Sequence, residues 1–368
     1  MKKLFVVFAA IALIGAFTVP AMSADWNFYG SVRMATFWDD FDNGDAGDAV
    51  GFDDDADLTW DLQANSRIGA KVTSGDVAGV VELSVDDENG VNTRLLYGTW
   101  EFADGCSLLI GQDYTPVYTN LSGQVHNADD GLNPYGMAYD GRQPQIKLLI
   151  NNFELAFIEP ETAYGNAAPA FPGAAVLETD TTLPKIAARY TFKTDAFAIR
   201  PYAGWQTVKA EAHAPGVEDD EDVDAYVVGL DAKFYFGPAW LAVAGYYSQN
   251  PGVYGLLQAC NAMPVWTATG VEDNDSYGLA AAAGYKFTDA VSIEAGIGYV
   301  NSEVDTAGGD WEEDTLTYYV NLPIRLADIF FIIPEIGFID FGDQEITGVP
   351  DNDLGDSWYA GAKWQINF

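Results

Sequence analysis

The feature that most constrains this chain is a residue-by-residue alternation, punctuated by turns, that runs almost end to end. In 222–237, Tyr226, Val228, Leu230, Ala232, Phe234 and Phe236 form a wholly apolar set. The intervening Val223, Ala225, Val227, Gly229, Asp231, Lys233 and Tyr235 are mixed. In 315–326, Leu316, Tyr318, Val320, Leu322, Ile324 and Leu326 alternate with Thr315, Thr317, Tyr319, Asn321, Pro323 and Arg325. Successive side chains of a strand point to opposite faces, so such segments are strands with one apolar face. This reading predicts sixteen: 25–38, 57–72, 77–86, 92–102, 105–113, 142–150, 152–160, 183–193, 196–210, 222–236, 239–249, 273–287, 290–304, 314–326, 329–341 and 356–368. Each is near or above the roughly 9–11 residues that a tilted strand needs to cross a bilayer.

The connections alternate as well. Tight ones fall at 73–76, 103–104, 151, 194–195, 237–238, 288–289 and 327–328. The others are mostly longer: 39–56, 87–91, 114–141, 161–182, 211–221, 250–272, 305–313 and 342–355. A soluble sandwich has no reason to collect its long loops at one end, whereas a barrel in a bilayer has short periplasmic turns and long extracellular loops. In hydrocarbon every backbone N–H and C=O must be satisfied internally, which only helices and closed barrels achieve. The predicted fold is therefore all-β: a transmembrane antiparallel β-barrel of sixteen strands, apolar toward lipid and polar toward an aqueous interior. Trp26, Tyr29, Trp38, Tyr97, Trp100, Tyr226, Tyr235, Trp358 and Trp364 lie near strand ends, where amphipathic rings suit the headgroup level.

Met1-Lys2-Lys3 followed by the apolar run Leu4 to Val19 and Pro20-Ala21-Met22-Ser23-Ala24 reads as a secretory signal peptide (1–23), cleaved after residue 23 or 24. Residues 24–368 then form a single barrel domain, in which 114–141 is the longest connection. The expected location is the outer membrane of a Gram-negative cell, reached through the periplasm.

The chain carries 17 Lys and Arg against 55 Asp and Glu, a formal charge of −38. Nucleic acid is excluded as a partner, because phosphate binding needs a basic footprint. The acidity concentrates in the long connections: 39–57 holds nine Asp and no basic residue, and 211–224 holds seven acidic side chains. Such a mouth concentrates cations, so a cation-preferring channel is expected. Weakly bound divalent cations at these loops, bridging them or lipopolysaccharide, are the only cofactor expectation. No specific metal loop is present, since 40–45 lacks EF-hand spacing. Arg33, Arg67, Lys71, Arg94, Arg142 and Lys147 lie in strands, and a basic side chain facing lipid costs about 2–4 kcal/mol at the midplane. They are expected to point inward as pore-lining candidates. Loop 114–141 supplies Asp129, Asp130 and Asp140, with Asp113 at its entrance. Cys106 and Cys260 are expected on opposite rims, too far apart for a disulfide.

Several segments resemble the Gram-negative general diffusion porins. Asp25-Trp-Asn-Phe-Tyr-Gly-Ser-Val-Arg33 is similar to a porin first strand. Asn65-Ser-Arg-Ile-Gly-Ala-Lys71 resembles the family's second strand, with Val72 where Gly is usual. The stretch from Tyr97 to Pro116 resembles the strand pair before the constriction loop, with Gln112 where Arg is common. Arg142-Gln-Pro-Gln-Ile-Lys147 is similar to the return into strand six. Trp364, Ile366 and Phe368 resemble the terminal signal read by the barrel-assembly machinery. The resemblance implies a homotrimer of passive channels for ions and small hydrophilic solutes, with 114–141 folded into the lumen as the candidate constriction loop. It also implies an eyelet in which Arg67, Arg94 and Arg142 face Asp129 and Asp130 across a transverse field.

No nucleophile elbow, P-loop or H-E-x-x-H motif occurs, and His126 and His213 stand far apart in sequence. An enzyme is not expected. The leading reading is a pore for passive diffusion. The alternatives are a substrate-selective channel of the same architecture, and a structural or adhesive surface barrel.

Overall fold

The computed structural model describes residues 24–44, 56–85, 90–126, 129, 131–160, 177–212, 220–267, 270–306 and 309–368. The signal segment, Asp130 and His213 lie outside the described residues. Sixteen antiparallel strands close into one barrel. They are β1 Asp25–Asp42, β2 in two pieces (Ala56–Leu62 and Arg67–Ser74), β3 Val77–Val85, β4 Val91–Ala103, β5 Cys106–Tyr114, β6 Arg142–Ile150 and β7 Phe153–Ile158. Next come β8 in three pieces (Leu177–Asp180, Lys185–Tyr190 and Phe192–Lys193), β9 Phe197–Ala212, β10 Asp220–Phe236 and β11 Ala239–Gln249. The last are β12 Asn274–Lys286, β13 Ser292–Thr306, β14 Gly309–Asn321 continued by Ile324–Ala327, β15 Phe330–Asp340 continued by Asp343–Ile346, and β16 Asp356–Asn367.

Each strand pairs with its sequence neighbours, and β1 closes on β16 from Ser31 opposite Asn367 to Asp42 opposite Asp356. Gly30 and Phe368 exchange backbone hydrogen bonds at 2.7 and 3.0 Å. Closure pairs both edges of the described strands through the middle of the barrel, the condition for backbone in hydrocarbon. Tight periplasmic turns use left-handed residues, among them Gly75, Gly105 and Asn151, as two-residue hairpins require.

The alternation sorts side chains as the sequence predicts. Phe28, Ile68, Leu96, Ile110, Ile146, Leu230, Leu279 and Ile336 are exposed on the outer surface, Phe28 by 75%. In water such a belt would be a severe liability; against lipid tails it is the matching surface. Aromatic pairs border it. Trp26–Phe28 and Trp100–Phe102 sit toward the turns, and Phe338–Trp358 toward the loops. Tyr29, Tyr97 and Tyr235 depart from the girdle expectation: their register turns them inward, and Tyr29 donates to Glu82 at 2.9 Å. Several inward aromatics lie over a cross-strand glycine. A Cβ on Gly229 would collide with the Tyr202 ring, and one on Gly337 with the Tyr359 ring, so each ring occupies the space of the missing side chain.

The strands differ from expectation mainly at their loop ends. β1 runs on to Asp42, β9 to Ala212, and β15 acquires Asp343–Ile346. Beyond the bilayer both faces are polar, so ladders continue without an apolar signal. β2 is broken at 63–66, where Gln63 and Asn65 turn toward the segment between β5 and β6. Cys106 and Cys260 are free thiols, one at the start of β5 and the other in loop 250–273.

Candidate functional site

Residues 115–141 leave β5 and fold into the barrel. The two ends of the segment pair with each other: Thr119 N–H donates to Ala138 O at 2.8 Å and Asp140 N–H to Val117 O at 3.1 Å. From there the segment is pinned to inward side chains on many strands. Val125 and His126 N–H donate to the Glu335 carboxylate at 2.8 and 2.9 Å. Asn321 donates to Gly123 O at 2.7 Å, Gln124 to the Tyr359 hydroxyl at 2.7 Å, and Gln63 to Val125 O at 3.0 Å. His126 Nε2 lies 2.5 Å from Asp39 Oδ1 and stacks on Tyr359 with ring centroids 3.8 Å apart. Leu121, Val125, Leu132 and Met137 bury themselves against Phe37, Tyr319, Ile339 and Tyr359. Apolar contact holds the segment to the wall, and buried polar partners fix its path, since an unmet backbone group would be costly.

A second loop joins it. After β11 a single helical turn, Pro251–Tyr254, leads into 255–264. Leu257 N–H donates to Tyr139 O at 3.0 Å and Ala259 N–H to Pro134 O at 2.9 Å, so this loop pairs with 134–139. Val253, Tyr254 and Leu256 join Val117, Ala138, Ile158, Tyr202, Val227 and Tyr246 in one buried cluster. The two loops and β8 meet at Lys185, which donates to Asp140 at 2.7 Å and to Tyr254 O at 2.9 Å; both side chains of this ion pair are 0% exposed. The sector near β7–β11 is thereby packed solid.

On the other side a cavity of about 380 Å³ remains between loop 115–141 and the inner wall, which runs from β13 through β16 and β1 to β6. Arg33, Arg67, Arg94 and Arg142 line it together, with Lys363 beside them. Among the described residues, Asp129 and Glu294 are the acidic ones that line it. Asp129, with φ of 66°, accepts from Arg33 at 2.6 Å, Lys363 at 2.8 Å and Asn65 at 3.0 Å. Glu294 accepts from Gly123 N–H and the Tyr319 hydroxyl, each at 2.5 Å. Glu82, buried behind the arginines, accepts from Arg94 at 2.8 Å and Arg67 at 3.3 Å. Tyr114 and Tyr118 stack at 4.1 Å, and Arg142 lies over the Tyr114 ring.

The remaining sequence candidates stand elsewhere. Asp113 is held by Lys147 at 2.8 Å, and Lys147 also approaches Glu154 at 3.8 Å. Asp140 belongs to the buried Lys185 pair. Lys71 lies 5.4 Å from the Tyr29 ring centroid, in a separate recess near the periplasmic rim. The departures of Asp113, Lys147 and Asp140 share one cause: a charge entering a confined interior takes the nearest opposite charge, and sequence does not reveal which strand will supply it. Trp364 and Ile366 face outward and are exposed. Lys363, Glu82, Glu294 and Lys185 went unnamed by sequence reasoning. The alternation carries a signal for Lys363, on the polar face of β16 with Gly361 and Gln365.

At the mouth, Glu345 is held above the ordinary carboxylate range by Asp351 and Glu312. Asp343 is pushed the same way by partial desolvation and by Asp353. The carboxylates of Glu303, Asp305 and Asp310 lie within 4.8 Å of one another.

The architecture is that of the outer-membrane porins. The outer-membrane channel DcaP of Acinetobacter baumannii superposes with a TM-score of 0.68 at 16% identity, covering 94% of this chain and 97% of that one. OmpF of Salmonella typhi gives 0.60 at 14% identity, with coverages of 95% and 99%. The outer membrane protein OmpT of Vibrio cholerae, in its trimer form, gives 0.54 at 18%, with coverages of 93% and 99%. No protein-family model matches the sequence, and no curated protein does. The barrel and these neighbours support an outer-membrane location.

Proposed function

We propose that the chain forms a pore for passive diffusion of ions and small hydrophilic solutes, working as a homotrimer. The observation that carries this reading is the charged cavity left between loop 115–141 and the arginine-bearing wall, inside a barrel whose outer surface suits lipid. The trimer form of the Vibrio cholerae neighbour supports the oligomer. Reconstitution in a planar bilayer tests both parts: stepwise openings in KCl that close in groups of three are expected. A sealed bilayer at high protein load sinks the pore, and single closures of equal size sink the trimer.

The cation preference expected from sequence rests on the mouth. Carboxylates crowded at Glu303, Asp305, Asp310, Glu312, Asp343 and Glu345 enrich cations there and loosely gather divalent ions. The cavity beneath has the opposite sign in its lining. A second reading, a substrate-selective channel, is favoured by the packed sector: two loops crowd one side of the interior and leave a charged cavity on the other. Lipopolysaccharide at the acidic rim and the assembly machinery at Phe368 remain the partners this reading proposes.

A further inference from the structure

The cavity beside loop 115–141 has five basic lining residues and two acidic ones. In a chain with 17 Lys and Arg against 55 acidic residues, nearly a third of the basic side chains meet in this one place. Neither lining carboxylate opposes them freely. Asp129 is shared between Arg33 and Lys363, and Glu294 is occupied by a backbone N–H and a tyrosine hydroxyl. Among the described residues, counting the buried Glu82 as well still leaves an excess of positive charge. The convergence is sharpest at Tyr114, whose hydroxyl accepts from Arg94 and from Arg142, each at 3.2 Å. Two guanidiniums thus approach one oxygen, and among the described residues no carboxylate forms an ion pair with Arg142. Arg142 donates a single described hydrogen bond and Arg67 two, of the five N–H groups each carries. The donors with no partner among the described residues belong to planar forks that match a carboxylate or phosphate. Like charges this close, in a narrow passage of low effective dielectric, repel strongly unless an anion sits between them.

We propose that this cavity is a binding site for a small oxyanion, a carboxylate or a phosphate, taken up in transit by Arg142, Arg94 and Arg67. The proposal rests on the pore reading and names the solute class that the passage selects. Entering oxyanions lose their hydration to guanidinium donors and leave by exchange, so binding is weak and transport saturable.

The test uses the mature protein in a planar bilayer at constant ionic strength, with inorganic phosphate or acetate replacing chloride. The chloride current falls saturably, with half-effect at about 1 mM for the better anion. Arg142→Gln raises that concentration about tenfold, while Lys71→Gln at the rim leaves it unchanged. Titration of the detergent-solubilised protein with phosphate and acetate, followed by intrinsic tyrosine and tryptophan fluorescence, reads the site without a current. Saturable binding weakened by Arg142→Gln supports the site even if no openings appear, in which case the pore reading alone fails. Openings that respond to neither anion overturn the proposal, as does a variant indistinguishable from the parent in both assays.

Discussion

Lys185 and Asp140 show what a single pair does in this interior. Their ion pair is fully buried and ties β8 to both inserted loops. Removing one partner strands a buried charge, so Lys185→Met is expected to destabilise the folded protein by about 3–5 kcal/mol. Replacing both, as Lys185→Met with Asp140→Leu, recovers most of that loss, because apolar side chains of similar volume suit the same packing. Urea unfolding in detergent, followed by tryptophan fluorescence, measures both; equal losses in the single and double variants would contradict it. The inward placement of Arg33, Arg67 and Arg94 was legible from alternation and the cost of a charge in lipid. The fates of Asp113 and Asp140 were not: Lys147 is 34 positions from Asp113 and Lys185 is 45 from Asp140. No local pattern records such pairings.

At the scale of elements, the strands were read within a few residues, since period-two alternation is a local consequence of one lipid face and one water face. The loops were not. Loop 250–272 read simply as a long extracellular connection, yet its Val253, Tyr254 and Leu256 lie in the barrel interior. A short apolar run in a loop has no period, and only its partners on β9 and in 115–141 give it a place. Replacing 255–264 with a short Gly-Ser link is expected to open the packed sector. Single-channel conductance should rise while strand content by circular dichroism stays constant; unchanged conductance would mean that this loop does not narrow the passage.

The whole molecule superposes two charge zones, an acidic mouth and a basic cavity. Their reach differs, because exposed charges are screened over a Debye length that falls from about 10 Å at 0.1 M salt to about 3 Å at 1 M. The reversal potential in a KCl gradient is therefore expected to favour K⁺ most at low salt and to move toward Cl⁻ as salt rises. Acid acts in the same sense. Glu345 and Asp343 have raised folded-state proton affinity, so the folded loops take up protons before an unfolded chain would. Their contribution to stability is present below the unfolded value near pH 4 and is lost as pH rises through the higher folded value. Lowering the pH toward that window neutralises the mouth and should diminish the K⁺ bias; a bias independent of both salt and pH would place selectivity elsewhere. By itself the sequence determined the barrel, its strand count, its lipid belt and the end on which the acidic loops stand, because each follows from neighbours along the chain. Only the tertiary structure decided where the passage runs and what charge lines it. Those depend on which distant strands closure brings face to face, and on apolar loop segments finding burial inside rather than above the barrel.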